Sequence, residues 1–393
     1  MPPILWYSLH MEESITPQIT PEDAKRVQLQ FLTQLHKAVP RTAPAPLTGL
    51  PAIHWSEYGV SSDQQPISLD PPANWMPFMP LPIADVVVLT WTKAEWAALN
   101  QVFCSYTQPM TLDDVAHGAW MKPWTFYARN YYTIQQDMVN VVKASQGGAP
   151  SLTNQAWGSF RMVQLAGQRV LLLKSDMHLA QDGRSLPLRQ FVAQICQEAQ
   201  PAYVLSVGTA GGVRSEDALG CALITNAAYF YLLEDFKNAE FNRTTVTSSW
   251  QPATGLLPTA QRLVIQVPGY TVLPLSPHYP PGASITPNAP ASSIKVVTPQ
   301  PIITTDSFMF GTTTNGLEQF GCIIEMDDAV VGMACDQHNT PFGFIRNVSD
   351  PVINGLLPPA IQTSWAGYIY QQLGLYTSFN SALAAWAVIA ANS

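Results

Sequence analysis

The stretch Tyr203–Val213, YVLSVGTAGGV, runs from an apolar segment straight into a glycine-rich one. Tyr203-Val204-Leu205 has the continuous hydrophobicity of a strand buried on both faces. The glycines after it predict a tight turn. That turn either only bends the chain, or it brings backbone N–H groups and the Thr209 hydroxyl against a small polar ligand. The G-x-G-x-x-G spacing of a dinucleotide site is absent, so a cofactor of that kind is not indicated.

Working outward, apolar runs of strand length alternate with helical segments. Asp85–Thr90 (DVVVLT) predicts a buried strand followed by a helix from about Lys93. Phe160–Leu165 and Arg169–Leu173 predict two strands joined at Gly167-Gln168. A helix from about Leu186 leads to the Tyr203 strand, and Leu219–Phe230 is a further strand region. Strands are expected again at Ile302-Ile303, Cys322–Ile324 and Phe342–Val348, with a helix over Asp328–His338. Two helices, near 361–373 and 379–391, should close the chain. Alternation of this kind argues for an α/β domain with a largely parallel or mixed sheet.

The remaining segments bound the organisation. Residues 1–80 are dense in proline and read as an arm carrying one helix. Thr20 would cap that helix, Pro21 would start it, and Ala24, Val27, Phe31, Leu35 and Ala38 would form its apolar face. Residues 81–393 read as one catalytic domain. Its Pro/Thr/Ser-rich segment at about 237–300 is too long for an ordinary connection and reads as an insertion or lid.

Of the 393 residues, 47% are hydrophobic and 12% charged, which excludes a chain that is disordered throughout. The net charge of −8 argues against general nucleic-acid binding but not against one nucleoside held in a pocket. The five cysteines (Cys104, Cys196, Cys221, Cys322, Cys335) are odd in number and lack Cys-x-x-Cys spacing. Neither a disulfide framework nor a zinc site is expected, and a reducing, cytoplasmic location is. The first residues lack the basic region of a signal peptide. No run reads as a membrane span: SALAAWAVIA near the C-terminus is short of the ~20 residues of a span and reads as a packed helix.

Chemistry in open α/β sheets gathers where strands end. Four such ends carry polar residues. In Thr90–Glu95, Glu95 can activate water, or it can complete a capping box with Thr92. In Gly208–Gly212, Thr209 can hold a nucleophile or a ribose hydroxyl. In Glu325–Asp328, the carboxylates can accept bonds from a sugar diol, or they can complement a helix dipole. In Asn347–Pro351, Asp350 can be a general acid, or it can start an Asp-Pro turn.

The segment 85–99, the GTAGG run with LGCALITNAAYF, then TTDSFMFG, IIEMDDAVVGMAC and FIRNVSDPV occur in an order that resembles the nucleoside phosphorylase/nucleosidase superfamily. That group includes purine nucleoside phosphorylase, methylthioadenosine/S-adenosylhomocysteine nucleosidase and AMP nucleosidase. The resemblance spans roughly residues 84–375. It implies a three-layer α/β/α sandwich around a mixed, partly barrel-like sheet, in subunits that assemble as homo-oligomers. It implies cleavage of the N-glycosidic bond of a purine nucleoside or nucleotide, with no cofactor, no metal and no nucleic-acid or membrane partner. By the same resemblance, Glu95 activates water and Thr209 with Gly208 positions the nucleophile. Met326 and Asp327 hold the ribose, Phe308 with Ser349 binds the base, and Asp350 protonates it.

Two departures matter. Asp327 stands where the family has Glu, so its carboxylate is set back by more than ~1 Å unless Glu325 shares the sugar. The stretch TWTKAEW lacks the glycine and arginine with which phosphorylases hold phosphate there. Water is therefore the expected nucleophile. Inorganic phosphate is the alternative, with Lys93 or Arg184 as its anion site; Arg184 precedes a helix, where phosphates bind readily. A non-catalytic nucleoside-binding protein is the alternative from another class. His178 reads as a packed or surface histidine, and Trp91, Trp96, Tyr229, Phe230 and Tyr231 as core or base-pocket aromatics.

Overall fold

A computed structural model describes residues 47–71, 74–77, 79–128, 157–179, 186–267, 291–357 and 359–392. The expected helix at 20–38 and the expected anion ligand Arg184 lie outside the described residues. The strands are β1 Gly49–Leu50, β2 Ile67–Leu69, β3 Val86–Thr90, β4 Met110–Thr111, β5 Thr125–Tyr127, β6 Gly158–Leu165, β7 Gln168–Ser175 and β8 Tyr203–Gly212. They continue as β9 Ala222–Thr225, β10 Ala227–Phe230, β11 Thr245–Thr247, β12 Ile294–Val296, β13 Ile302–Thr304, β14 Ile323–Glu325 and β15 Phe342–Asp350. The α-helices are α1 Lys93–Phe103, α2 Leu112–His117, α3 Pro187–Ala199, α4 Leu257–Leu263, α5 Asp328–Gln337 and α6 Pro359–Ala390.

Thirteen of these strands form one mixed sheet; β1 and β4 pair apart from it. β3 shows why the sheet is covered on both faces. All five of its residues are buried. Val86 and Val88 belong to one apolar core with α1 and the C-terminal helix α6, while Val87 and Leu89 belong to a second core with α3 and α5. This is the three-layer sandwich, although the strand path does not close into a barrel. The β6–β7 hairpin turns at Ala166-Gly167, both at positive φ (52° and 76°), one residue earlier than expected.

The central strand positions the site. Tyr203–Ser206 of β8 pair with β3 on one edge, whereas Gly211 and Gly212 pair antiparallel with β14 on that same edge. β15 runs parallel along the other edge. Between the end of β3 and the start of the β14 pairing, a crevice opens beside Thr209 and Ala210.

Two expectations are corrected. The GTAGG run is not a turn; it continues β8 to Gly212, and its glycines serve close side-chain approach within a strand. Within the 237–300 segment, β11 joins the sheet and α4 and β12 pack on the body; residues 268–290 lie outside the described residues. The two closing helices are one, α6, of 32 residues. Its Ile369–Ala390 portion has the length and mean hydropathy (1.3) of a membrane span, contrary to the expected shortness, yet from Leu373 to Ala390 it is buried within the protein. Trp386 of α6 stacks on Trp55 with ring centroids 4.2 Å apart, so residues near position 50 are built into the same core. None of the five cysteines is in a disulfide.

Candidate active site

The crevice is an open cleft of about 370 Å³. It brings together Glu95, Thr209, Phe308, Glu325, Met326, Asp327, Ser349 and Asp350, which lie as far as 255 positions apart in sequence (350 − 95).

Glu95 satisfies both readings of its segment. It completes the α1 capping box, since the Thr92 side chain accepts from the Glu95 backbone N–H and Glu95 Oε2 accepts from the Thr92 backbone N–H at 2.8 Å. Oε2 also accepts from the Trp91 N–H and the Thr90 hydroxyl. Oε1 takes the Thr209 N–H (2.7 Å) and the Thr209 hydroxyl (2.6 Å). The carboxylate thereby fills the gap in the β8 edge and stands in for a missing strand partner. Burial pushes its pKa up, but the Arg346 guanidinium and the Thr209 and Thr92 hydrogen bonds outweigh burial and hold it below the usual range. Gly208 lines no wall of the cleft. A Cβ there would lie 2.4 Å from Arg346 Nη1 and 2.8 Å from Glu95 Oε1, so its bareness lets those two groups meet over the strand.

Asp350, the last residue of β15, accepts from the Ser349 hydroxyl at 2.7 Å. Burial pushes its pKa up to about 6 against that one hydrogen bond. It is the group in the cleft best matched to proton donation near neutrality. Gly211 makes room for it; a Cβ there would lie 2.9 Å from Asp350 Oδ2.

Glu325 is consumed by structure. It accepts the Asp327 N–H (2.6 Å), the Asp328 N–H and the Thr304 hydroxyl, and meets Arg346 at 3.1 Å. Burial first, then the neighbouring Asp328, pushes its pKa up to about 8. Asp327 is buried and accepts the Leu179 N–H at 3.0 Å on Oδ1. Burial raises its pKa well above the usual carboxylate range. Phe308 stands at the mouth of the cleft, 60% exposed.

Lys93 is not brought into the cleft; its Nζ donates to the Ala116 carbonyl. Arg346 and Tyr370, which sequence reasoning passed over, are, together with the already noted Trp91 and His178. Arg346 is buried, holds Asp328 through Nε (2.8 Å) and Nη2, and lies 4.8 Å from the centre of the Trp91 ring. Its pKa is raised by Asp328 and Glu325 despite burial. A charge inside the apolar run FIRNV was the available signal, because an arginine within a buried strand needs partners. Trp91 and His178 also line the cleft. Tyr370 reaches in from α6 beside Thr92 and Thr209, its pKa pushed up to about 12 by burial and then by Glu95. Nothing in an apolar helix sequence marks that tyrosine. Among the described residues, no group of three or more His, Cys, Asp or Glu could hold a metal ion.

Residues 139–356 match the sequence model of the phosphorylase superfamily. Among solved structures, the chain is similar to a 5′-methylthioadenosine/S-adenosylhomocysteine nucleosidase from Neisseria meningitidis in complex with methylthio-immucillin-A. The identity is 16%, covering 78% of this chain and 98% of that one, with a TM-score of 0.43. It is also similar to a futalosine hydrolase of Helicobacter pylori (10% identity, 77% and 96% covered, TM-score 0.45). A third is the corresponding nucleosidase from S. pneumoniae with a transition-state inhibitor (13% identity, 78% and 99% covered, TM-score 0.45). No curated protein matches the chain.

Proposed function

This chain belongs to the phosphorylase superfamily, and from that premise we propose that it cleaves the N-glycosidic bond of a purine nucleoside with water as the acceptor. One observation carries the choice of water: the cleft offers no uncommitted cation. Glu95, Glu325, Asp327 and Asp350 line it. Among its described lining residues the only lysine or arginine is Arg346, already held by Asp328 and Glu325. A phosphate dianion entering there would meet no uncommitted guanidinium or ammonium group, in a site where an unpaired charge is poorly screened.

The same charges suit hydrolysis. Breaking the bond builds positive charge on the sugar and negative charge on the departing base. The ionised Glu95 stabilises the first, and Asp350 quenches the second by giving its proton to the base. The water oxygen bonds to the anomeric carbon, and the electron pair of the broken bond leaves with the base. Glu95 takes the water proton once the Thr209 hydroxyl swings from Oε1 to hold that water. Met326 packs on the sugar, Asp327 accepts a sugar hydroxyl, and Phe308 closes on the face of the base, with Ser349 holding Asp350 in place.

The test is release of free base from a panel of purine nucleosides and nucleotides, with and without inorganic phosphate, with the sugar product identified. Free base and free sugar without phosphate are expected. Release only with phosphate, as sugar 1-phosphate, would replace hydrolysis by phosphorolysis. Binding without release under either condition would make the chain a nucleoside-binding protein.

A further inference from the structure

We propose that the Tyr370 hydroxyl is the second hydrogen-bond acceptor of the attacking water, holding the hydrogen that Glu95 does not take. This rests on the hydrolytic reading above.

The need for such a group comes from Glu95. A carboxylate offers about four lone-pair sites. Oε2 of Glu95 already accepts the Thr90 hydroxyl and the Trp91 and Thr92 N–H groups, and Oε1 accepts the Thr209 N–H and hydroxyl. When the Thr209 hydroxyl turns to donate to the water, one site on Oε1 opens and takes one water hydrogen. One lone pair of the water then receives the Thr209 hydroxyl, and the other points at the anomeric carbon. The second hydrogen still needs an acceptor, because leaving it unpaired in the filled cleft costs free energy. Arg346 only donates, and Asp350 serves the base.

Tyr370 is placed to be that acceptor. Its helix, α6, packs against α1 and β8, which carry Glu95 and Thr209. On the cleft wall it stands one turn after Ala366 and Gly367, so the three share a helix face. A Cβ at Gly367 would meet no atom within 4 Å, so the space beside the ring is open to the sugar. One turn further on, a Cβ at Gly374 would lie 3.1 Å from Tyr370 Cδ2 and Cε2, so the bare backbone there gives the ring its seat. From this seat the hydroxyl reaches the Thr92 and Thr209 side chains and stands near the Glu95 and Asp350 carboxylates. Burial first, and then Glu95, push its pKa up to about 12. It therefore stays a neutral phenol, with a lone pair to accept and a proton of its own to donate. Thr92 Oγ1 accepts the Glu95 N–H at 3.3 Å and has a lone pair left for that proton. After attack, the hydrogen resting on Tyr370 stays on the oxygen as the new anomeric hydroxyl, while Glu95 keeps the other.

Methanol provides the test, because its one O–H hydrogen goes to Glu95 and none is left for Tyr370. Wild type and Tyr370→Phe are given a purine ribonucleoside in water, and in methanol–water mixtures that preserve the circular dichroism of the fold. In water alone, kcat for ribose release should fall about tenfold in the variant, with KM within about twofold. In the mixtures, the ratio of methyl ribofuranoside to ribose should rise about tenfold. Both products come from the same active molecules, so a variant that folds poorly does not move the ratio. An unchanged ratio, including no methyl ribofuranoside from either protein, overturns the proposal. So does a raised ratio without the loss in water alone, which would reflect only the room left by the missing oxygen. Ribose release by wild type in water is scored first. Its absence fails the hydrolytic reading itself, and Tyr370 with it, whereas the ratio tests Tyr370 alone.

Discussion

Replacing Arg346 by Met tests the electrostatic frame of the site. The guanidinium is 2% exposed and is the charge partner of Asp328 at 2.8 Å and Glu325 at 3.1 Å, with Glu95 held below its usual pKa by the same cation. Methionine keeps much of the volume against Trp91 but leaves these carboxylates without a cation. Removing one partner of a buried pair costs about 3–5 kcal/mol. An unfolding entropy of about 2.1 cal/mol/K per residue gives roughly 0.8 kcal/mol/K for a chain of this length, so the melting temperature should fall by about 4–6 °C. The sign of the pH dependence is fixed too. Without Arg346 the folded-state pKa of Glu95 and Glu325 rises. A carboxyl whose folded pKa is raised contributes stability at low pH and loses it as pH increases through that pKa. The deficit should therefore be larger at pH 8 than at pH 5, and adding Asp328→Ala to Arg346→Met should recover part of it. Thermal unfolding of the three proteins at both pH values is the assay. A deficit under ~1 °C at pH 8, or one larger at pH 5, would refute the reasoning.

Two further outcomes are expected. Gly208→Ala places a Cβ 2.4 Å from Arg346 Nη1 and 2.8 Å from Glu95 Oε1, so both must shift. Its kcat for base release should drop on the order of a hundredfold, with the circular dichroism of the fold retained; a change within about twofold would mean that this geometry is not used. As the proposed acid, Asp350 would donate only when protonated, and its pKa is pushed up to about 6, so kcat/KM should decline as pH rises through that value. Asp350→Asn should lower turnover by about 10²–10⁴-fold and remove that limb, and a limb unchanged in the variant would assign the acid elsewhere.

Local sequence determined much of the fold. The all-apolar run Val86–Leu89 needs cover on both faces, and the structure covers it with helices on both. Thr92 and Glu95 carry their capping box in four consecutive residues, and Pro187 starts its helix where the sequence places it. The place of Asp350 at the end of β15 is legible because the apolar run before it and the proline after it set that strand end locally. The glycine run was misread for a physical reason. A strand and a turn both accept glycine, and what selects the strand is a second chain, β15, paired from Val204 to Gly211. Local spacing divides the long C-terminal helix in two, because the burial of its second half depends on contacts with strands and helices far back in the chain.

The sequence by itself therefore determined the alternation of strands and helices, the caps, and which acids stand at strand ends, since each follows from neighbours within a few residues. The tertiary structure alone decided which of those acids share a cleft and in what state. Arg346 becomes the counterion of Glu95, Glu325 and Asp328 only when β15 lies against β8. His178 meets Asp327 only when residues 149 positions apart (327 − 178) are folded to 3.2 Å. Charge pairing and burial depend on distance in space, and spacing along a chain does not encode that distance.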